Sequence, residues 1–304
     1  MADMTIKKWI VGLSTLVCLS AGLLLAQPAI ERADERTDGK EATQFLRFLE
    51  GEGEFAGELQ TSITTYRNDA GIEIDLVATV HIAEESYYRE LNEYFATRDA
   101  VLYELVADEN VRPNGQGTAS GGGAIGFLQT SLTRLLGLSF QLNLINYARP
   151  NFFHADLEPH ELDAVMDAKG ETLFSSILSL VLTEIELQEQ GLVGGQQPAA
   201  AMSLSDIMGL FSLPNRQDAF KYLLGQSLAY SEDSLASLTG RGITILDDRN
   251  EAALDVLRRG LNNPSILSFS IFYGAAHMPG IERGLDQLGF SRVSQSWLTA
   301  WKTK

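Results

Sequence analysis

Apolar and polar residues alternate on both sides of Asn68-Asp69-Ala70-Gly71, in GELQTSITTYR (57–67) and IEIDLVATVHI (72–82). Period-two alternation across a turn cluster predicts a β-hairpin. The second arm becomes almost wholly apolar, as a strand buried on both faces does. Over 84–96 the period lengthens: Tyr88, Leu91 and Phe95 fall at helical spacing, and DAVLYELV (99–106) then returns as a second buried strand. From about 125 to 230 the pattern is mainly helical, broken by ARPNFFHADLEP (148–159) and by GGQQPAA (194–200). GITIL (242–246) predicts a short strand, DDRNEAALDVLRRGL (247–261) a helix, ILSFSIFYG (266–274) a strand, and 281–288 a last helix. Together these predict an α/β fold, a central mixed sheet flanked by helices, with a helical insertion at about 125–230.

Two segments invite other readings. Residues 110–124, NVRPNGQGTASGGGA, are rich in glycine and serine but lack a following Gly-Lys-Ser/Thr, so they read as a flexible loop and not a phosphate cradle. The apolar run 172–183 is too short to span a bilayer and reads as a core or lid helix.

The amino terminus differs in kind. Lys7 and Lys8 precede Trp9 to Ala26, eighteen residues without a charge, which is the pattern of an export segment. It is read either as a signal peptide ending near Ala26 or as a retained anchor, with residues 9–26 as a membrane tether. Both place the body outside the cytoplasmic membrane, in the periplasm or facing the extracellular side. Residues 27–45 read as a polar linker and 46–304 as a single domain. Cys18, the sole cysteine, lies inside the apolar run, so the body has neither a disulfide nor a thiol nucleophile. A net charge of −17 makes nucleic acid and anionic membrane surfaces poor partners.

In open α/β sheets, polar groups just beyond the carboxyl ends of buried strands gather in one crevice. Four stretches end that way here, at His81, Glu104, Arg249–Asn250 and His277. Glu104, set in VLYELV, must be neutral, ion-paired or metal-bound, because burying a lone carboxylate costs several kcal/mol. His81 and His277 each follow a small residue by three positions, Ala78 and Gly274, leaving room for close backbone approach. With Glu104 they form a candidate ligand set for a divalent ion with a position open to water. Arg249 is a candidate partner for a substrate carboxylate or a developing oxyanion; Asn250 orients a carbonyl or makes a local bond at its helix start. His154 and Asp156 stand at another apparent strand end, Asp156 also being placed to cap the helix that Pro159 opens. His160 reads as a surface residue. Asp248 and Glu251 have capping-box spacing. No His-Glu-x-x-His helix or Gly-x-Ser-x-Gly elbow is present.

With these residues placed, the chain resembles the TraB/PrgY/GumN/TIKI family. The likeness rests on LVATVHIAEESYYRELNEYFATRDAVLYELV, FQLNLINYARPNFFHADL, DDRNEAALDVL and IFYGAAHMPGIERGL, within residues 56–301. It implies an erythromycin-esterase- and ChaN-like α/β core and a site made of His81, Glu104, Arg249, Asn250, Gly274 and His277. It also implies the metalloprotease activity of the TIKI branch, which uses manganese or cobalt; the cofactor expected here is a divalent metal, manganese, cobalt or zinc. Ala78 departs from the family's glycine at the first motif. The expected function is a metal-dependent hydrolase, most simply a peptidase, acting on a peptide or small molecule. His81, His277 and Glu104 would hold the metal, Glu104 serving instead as general base if another group completes the shell. The alternative is a non-catalytic protein that sequesters a peptide or haem in the same crevice.

Overall fold

The β-hairpin is where the alternation puts it. Strand β2 (Gly57–Arg67) pairs antiparallel with β3 (Glu73–Thr79), in register from Ile63↔Val77 to Arg67↔Glu73. Between them the Asn68 side chain accepts from Ile72 N–H (3.0 Å), and Gly71 takes the left-handed φ of 80° that such a turn requires. The computed structural model describes residues 43–115, 133–171, 209–238 and 246–304. The export segment, most of the linker, most of the glycine-rich loop, the 172–183 and 194–200 segments and residues 242–245 of the GITIL strand lie outside the described residues.

Beyond β3 the sheet is parallel: β3 pairs with β8 (Ser268–Gly274), β8 with β5 (Ala100–Tyr103), and β5 with β7 (Phe152–His154). On the hairpin side β1 (Leu46–Glu50) pairs with the first half of β2. The other edge of β2 is covered along its length by β9 (Ser291–Thr303), antiparallel with two register shifts. Among the described residues the result is a seven-stranded mixed sheet. The linker reading runs slightly too far, because Phe45 is fully buried and its carbonyl already bonds Ser62 N–H.

Alternation along the central strands divides the core. Val77, Val101, Tyr103, Phe152 and Phe272 face one side, beneath α1 (Glu85–Phe95) and its buried Tyr87, Tyr88, Leu91 and Phe95. Leu76, Ala78, Leu102, Ile271 and Tyr273 face the other, against α4 (Asp247–Gly260) and α5 (Met278–Gln287). Each Val, Leu, Ile or Phe side chain among these, buried in full, contributes about 2 kcal/mol. Gly284 lets α4 and α5 touch, since a Cβ there would collide with Leu254. Within the stretch read as a helical insertion, α2 (Pro159–Lys169) follows β7, and α3 (Arg216–Leu238) lies across β1 and β9. There Trp301 Nε1–H donates to Lys221 O (3.2 Å). A two-residue ladder joins β4 (Ile82–Ala83) to β6 (Ser139–Phe140), clipping this stretch onto the chain just after His81. Among the described residues no helix is long and apolar enough to cross a membrane.

Candidate functional site at the carboxyl ends of the central strands

Glu104 follows Ala100 and Leu102 in parity and so faces α4 and α5, one residue past the end of β5. It is 6% exposed. Arg249, in the first turn of α4, donates from Nη2 to Glu104 Oε1 (2.7 Å) and to Asp156 Oδ2 (2.6 Å), and from Nε to Asp156 Oδ1 (2.9 Å). Gly274 N–H, at the end of β8, donates to Glu104 Oε2 (2.7 Å). Burial alone would raise the Glu104 carboxyl; the Arg249 guanidinium, helped by the two histidines and the Gly274 amide, outweighs it and holds the group well below the usual carboxylate range. Of the three states open to Glu104, the neutral one is disfavoured: the carboxylate is ionised and paired with Arg249. Arg249 is correspondingly held above its ordinary value: burial pushes it down, but Asp156 and Glu104 more than compensate.

His277 ends a 3-10 turn (Ala275–His277) that links β8 to α5. Its Nδ1 meets Asn250 Oδ1 at 2.8 Å. A carbonyl oxygen only accepts, so Nδ1 carries the hydrogen and Nε2 keeps its lone pair. Nε2 lies 3.6 Å from Glu104 Oε1, too long for a hydrogen bond. Burial, opposed by the Glu104 carboxylate and aided by the Arg249 charge, pushes His277 down to about 4, so the ring is neutral at neutral pH. The Tyr273 ring meets it edge-on at 5.3 Å. His81 is less enclosed; burial lowers its pKa as well, opposed by Glu104. The glycine before His277 is where the groups converge. A Cβ on Gly274 would stand 3.3 Å from Glu104 Oε2, 3.8 Å from His81 Nε2 and 3.9 Å from His277 Cδ2.

The structure thus brings together His81, Glu104, Asp156, Arg249, Asn250, Gly274 and His277. Several expectations need correction. Asp156 does not cap the helix at Pro159: Glu158 does, in a reciprocal capping box with Glu161, and Asp156 grips Arg249 instead. Asp248 forms no capping box with Glu251. Helix α4 begins at Asp247 without a side-chain cap, and Asp248 pairs with Lys169. The Nε and Nη2 of Arg249 are already engaged by two carboxylates, which weakens its case as a partner for a substrate anion. His154 pairs in register with Tyr103, on the opposite face of the sheet from Glu104, and its Nε2–H donates to Leu105 O (2.6 Å). Ala78 lies opposite Tyr273 in the ladder and packs in the core cluster shared with α4 and α5, while Thr79 is the residue opposite Gly274. His160 is exposed, beside Glu158.

Sequence reasoning missed Gln141. This residue is 3% exposed, with Nε2–H donating to Tyr147 OH (2.8 Å) and its main-chain N–H to His81 O (2.9 Å). No hydrophobic period singles it out; only the β4–β6 ladder brings it to His81.

Two neutral imidazoles and an ionised carboxylate are suitable donors for a divalent ion. Their spacing is that of an ion-pair network, and among the described residues no group of three or more His, Cys, Asp or Glu stands in ligating arrangement. The donor types fit a metal; closing a ligand shell would require Glu104 to turn partly from Arg249. Comparison with protein-family models, with curated proteins and with solved structures found no match to this chain.

Proposed function

We propose that this crevice is the site of a metal-dependent hydrolase, most simply a peptidase of the TraB/PrgY/GumN/TIKI kind, working outside the cytoplasmic membrane on a peptide or small molecule. The observation that carries the reading is the convergence of His81 Nε2, Glu104 and His277 around Gly274, with the Asn250–His277 bond leaving an Nε2 lone pair free. His81, His277 and Glu104 would hold manganese, cobalt or zinc. The bound ion would supply a Lewis acid and a water of lowered pKa.

The remaining work falls to the protein. Arg249 keeps Glu104 ionised and fixed, so Glu104 suits a ligand role better than that of a base, whose pKa should lie near the working pH. Asn250 Nδ2 is buried and has no hydrogen-bond partner among the described residues. We assign it the carbonyl oxygen of the scissile group, a task that Arg249 is too engaged to perform.

The test is metal content of the purified protein, and cleavage of a peptide pool with and without Mn²⁺ and a chelator. Loss of both in His81→Ala and His277→Ala is expected; retention of both ends the hydrolase reading. A sequestering role toward a peptide or haem is the second reading, favoured by the grip of Arg249 on Glu104. It predicts a Soret band on haem addition, or peptide binding without turnover.

A further inference from the structure

Arg249 does not divide itself evenly between its two carboxylates. It gives Asp156 a fork, Nε to Oδ1 (2.9 Å) and Nη2 to Oδ2 (2.6 Å), and gives Glu104 one bond, Nη2 to Oε1 (2.7 Å). A forked pair is the stronger and more directional contact. Asp156 is also the better fixed of the two acids. Its side chain is fully buried, and its Oδ1 accepts from Leu157 N–H (2.9 Å) as well as from Arg249. The main chain before it is tied to two central strands, Ala155 N–H donating to Tyr103 O (3.2 Å) and Ala155 O accepting from the Tyr273 hydroxyl. Glu104 is held more lightly, Oε1 by Arg249 and Oε2 by Gly274 N–H. Oε1 is also the oxygen that lies 3.6 Å from His277 Nε2. The bond that keeps Glu104 from a ligand shell is thus the single arm of the network, and giving it up leaves Arg249 with a carboxylate still in its fork.

We infer that Asp156 is a positioning residue that acts through Arg249: its fork retains the guanidinium when Glu104 turns Oε1 from Arg249 to a divalent ion. The inference rests on the reading of this crevice as a metal-dependent site and adds the residue that makes Glu104 exchangeable. A buried acid that is the sole partner of a buried guanidinium is locked to it, because its release strands the cation; a second carboxylate removes that penalty. Two carboxylates against one guanidinium also leave the network a formal negative charge in excess, which favours a cation beside it.

The test is the Mn²⁺ affinity of the full-length protein, measured by titration. In Asp156→Asn the amide cannot match the fork, Arg249 falls wholly to Glu104, and Mn²⁺ affinity should drop by about tenfold or more. Adding Arg249→Met to that variant removes the captor, and affinity should recover to within about threefold of wild type, the reverse of two independent losses. A merely structural Asp156 would lower stability without moving the affinity of the folded protein. The wild-type protein supplies a check that needs no variant to fold. On saturation with Zn²⁺, the Arg249 Nε–H followed by ¹⁵N NMR should stay protected from solvent exchange, because its bond to Asp156 is kept. Loss of that protection overturns the inference. So does unchanged Mn²⁺ affinity in a folded Asp156→Asn, or an absent recovery in the folded double variant. These three results leave the metal reading standing. A wild-type protein that binds no Mn²⁺, Co²⁺ or Zn²⁺ ends the metal reading and this inference with it.

Discussion

The ends of β3 and β8 lie side by side and deliver the same group, yet they are built differently. At β8 the strand closes on a glycine whose amide binds Glu104, turns once as a 3-10 helix, and presents His277 to Asn250 of α4, an element close by in sequence. At β3 the small residue is Ala78, its partner in the ladder is Tyr273, and His81 sits in a bend backed by Gln141 from a distant segment. The offset of one residue in the ladder, Thr79 opposite Gly274, means the two small-x-x-His stretches are not structurally equivalent. Of the two small residues, Gly274 is the one whose Cβ position borders both histidines. A short motif therefore places an imidazole near a strand end, while its enclosure, its tautomer and its access are set by whatever packs against it.

The largest effect should come from the cation that both strand ends surround. Arg249→Met leaves Glu104 and Asp156 as buried carboxylates without a cationic partner and is expected to cost about 3–5 kcal/mol of unfolding free energy in denaturant titration. Arg249→Lys should recover only part, since it loses the forked contact to Asp156. An effect under about 1 kcal/mol would mean that the network is open to water.

Acid separates the two ends next. The folded pKa of His277, about 4, lies below its ordinary 6.5, so the unfolded chain binds the extra proton between those values. Stability is then lost as pH falls from about 6.5 toward about 4, by roughly 3 kcal/mol from this residue. Glu104 adds its own loss below about 4.5, where the unfolded carboxyl protonates first. The pH dependence of unfolding in His277→Gln should be flatter than wild type across the first window; equal slopes would show that His277 is not the buried neutral group described. His81→Gln should flatten the same window less, its ring being less enclosed.

Gly274→Ala sharpens the asymmetry between the small residues. Its φ of −54° suits alanine, so backbone strain plays no part. The new methyl would press on Glu104 at 3.3 Å, costing about 1–2 kcal/mol in stability but on the order of a hundredfold in peptide cleavage or metal affinity. Ala78→Gly should cost about 1 kcal/mol of stability through backbone freedom and leave the site's behaviour intact. Matching losses of function would make the two positions equivalent after all. The smallest change is predicted one residue from Arg249. Asp248→Asn, which breaks only the partly exposed pair with Lys169, should move the unfolding midpoint by less than about 1 kcal/mol in free energy.

The sequence by itself determined the hairpin, the buried strands, α1 and the helix after β8, because period-two and helical patterns reflect one-sided or two-sided burial directly. It also marked His81, Glu104, Arg249, Asn250 and His277, since a polar group at the end of an apolar run is legible without coordinates. It did not reveal β9, whose Ser291–Thr303 run is polar on much of both faces at a sheet edge and so carries little periodicity. It misassigned Asp156 and Asp248, because local spacing cannot distinguish a helix cap from a partner 93 residues away, as Arg249 is to Asp156. Which carboxylates share Arg249, which carboxamide meets His277 and which small residue borders both histidines were decided only by tertiary structure. Those pairings depend on strand order and on ladder register, and neither is encoded in any short stretch of chain.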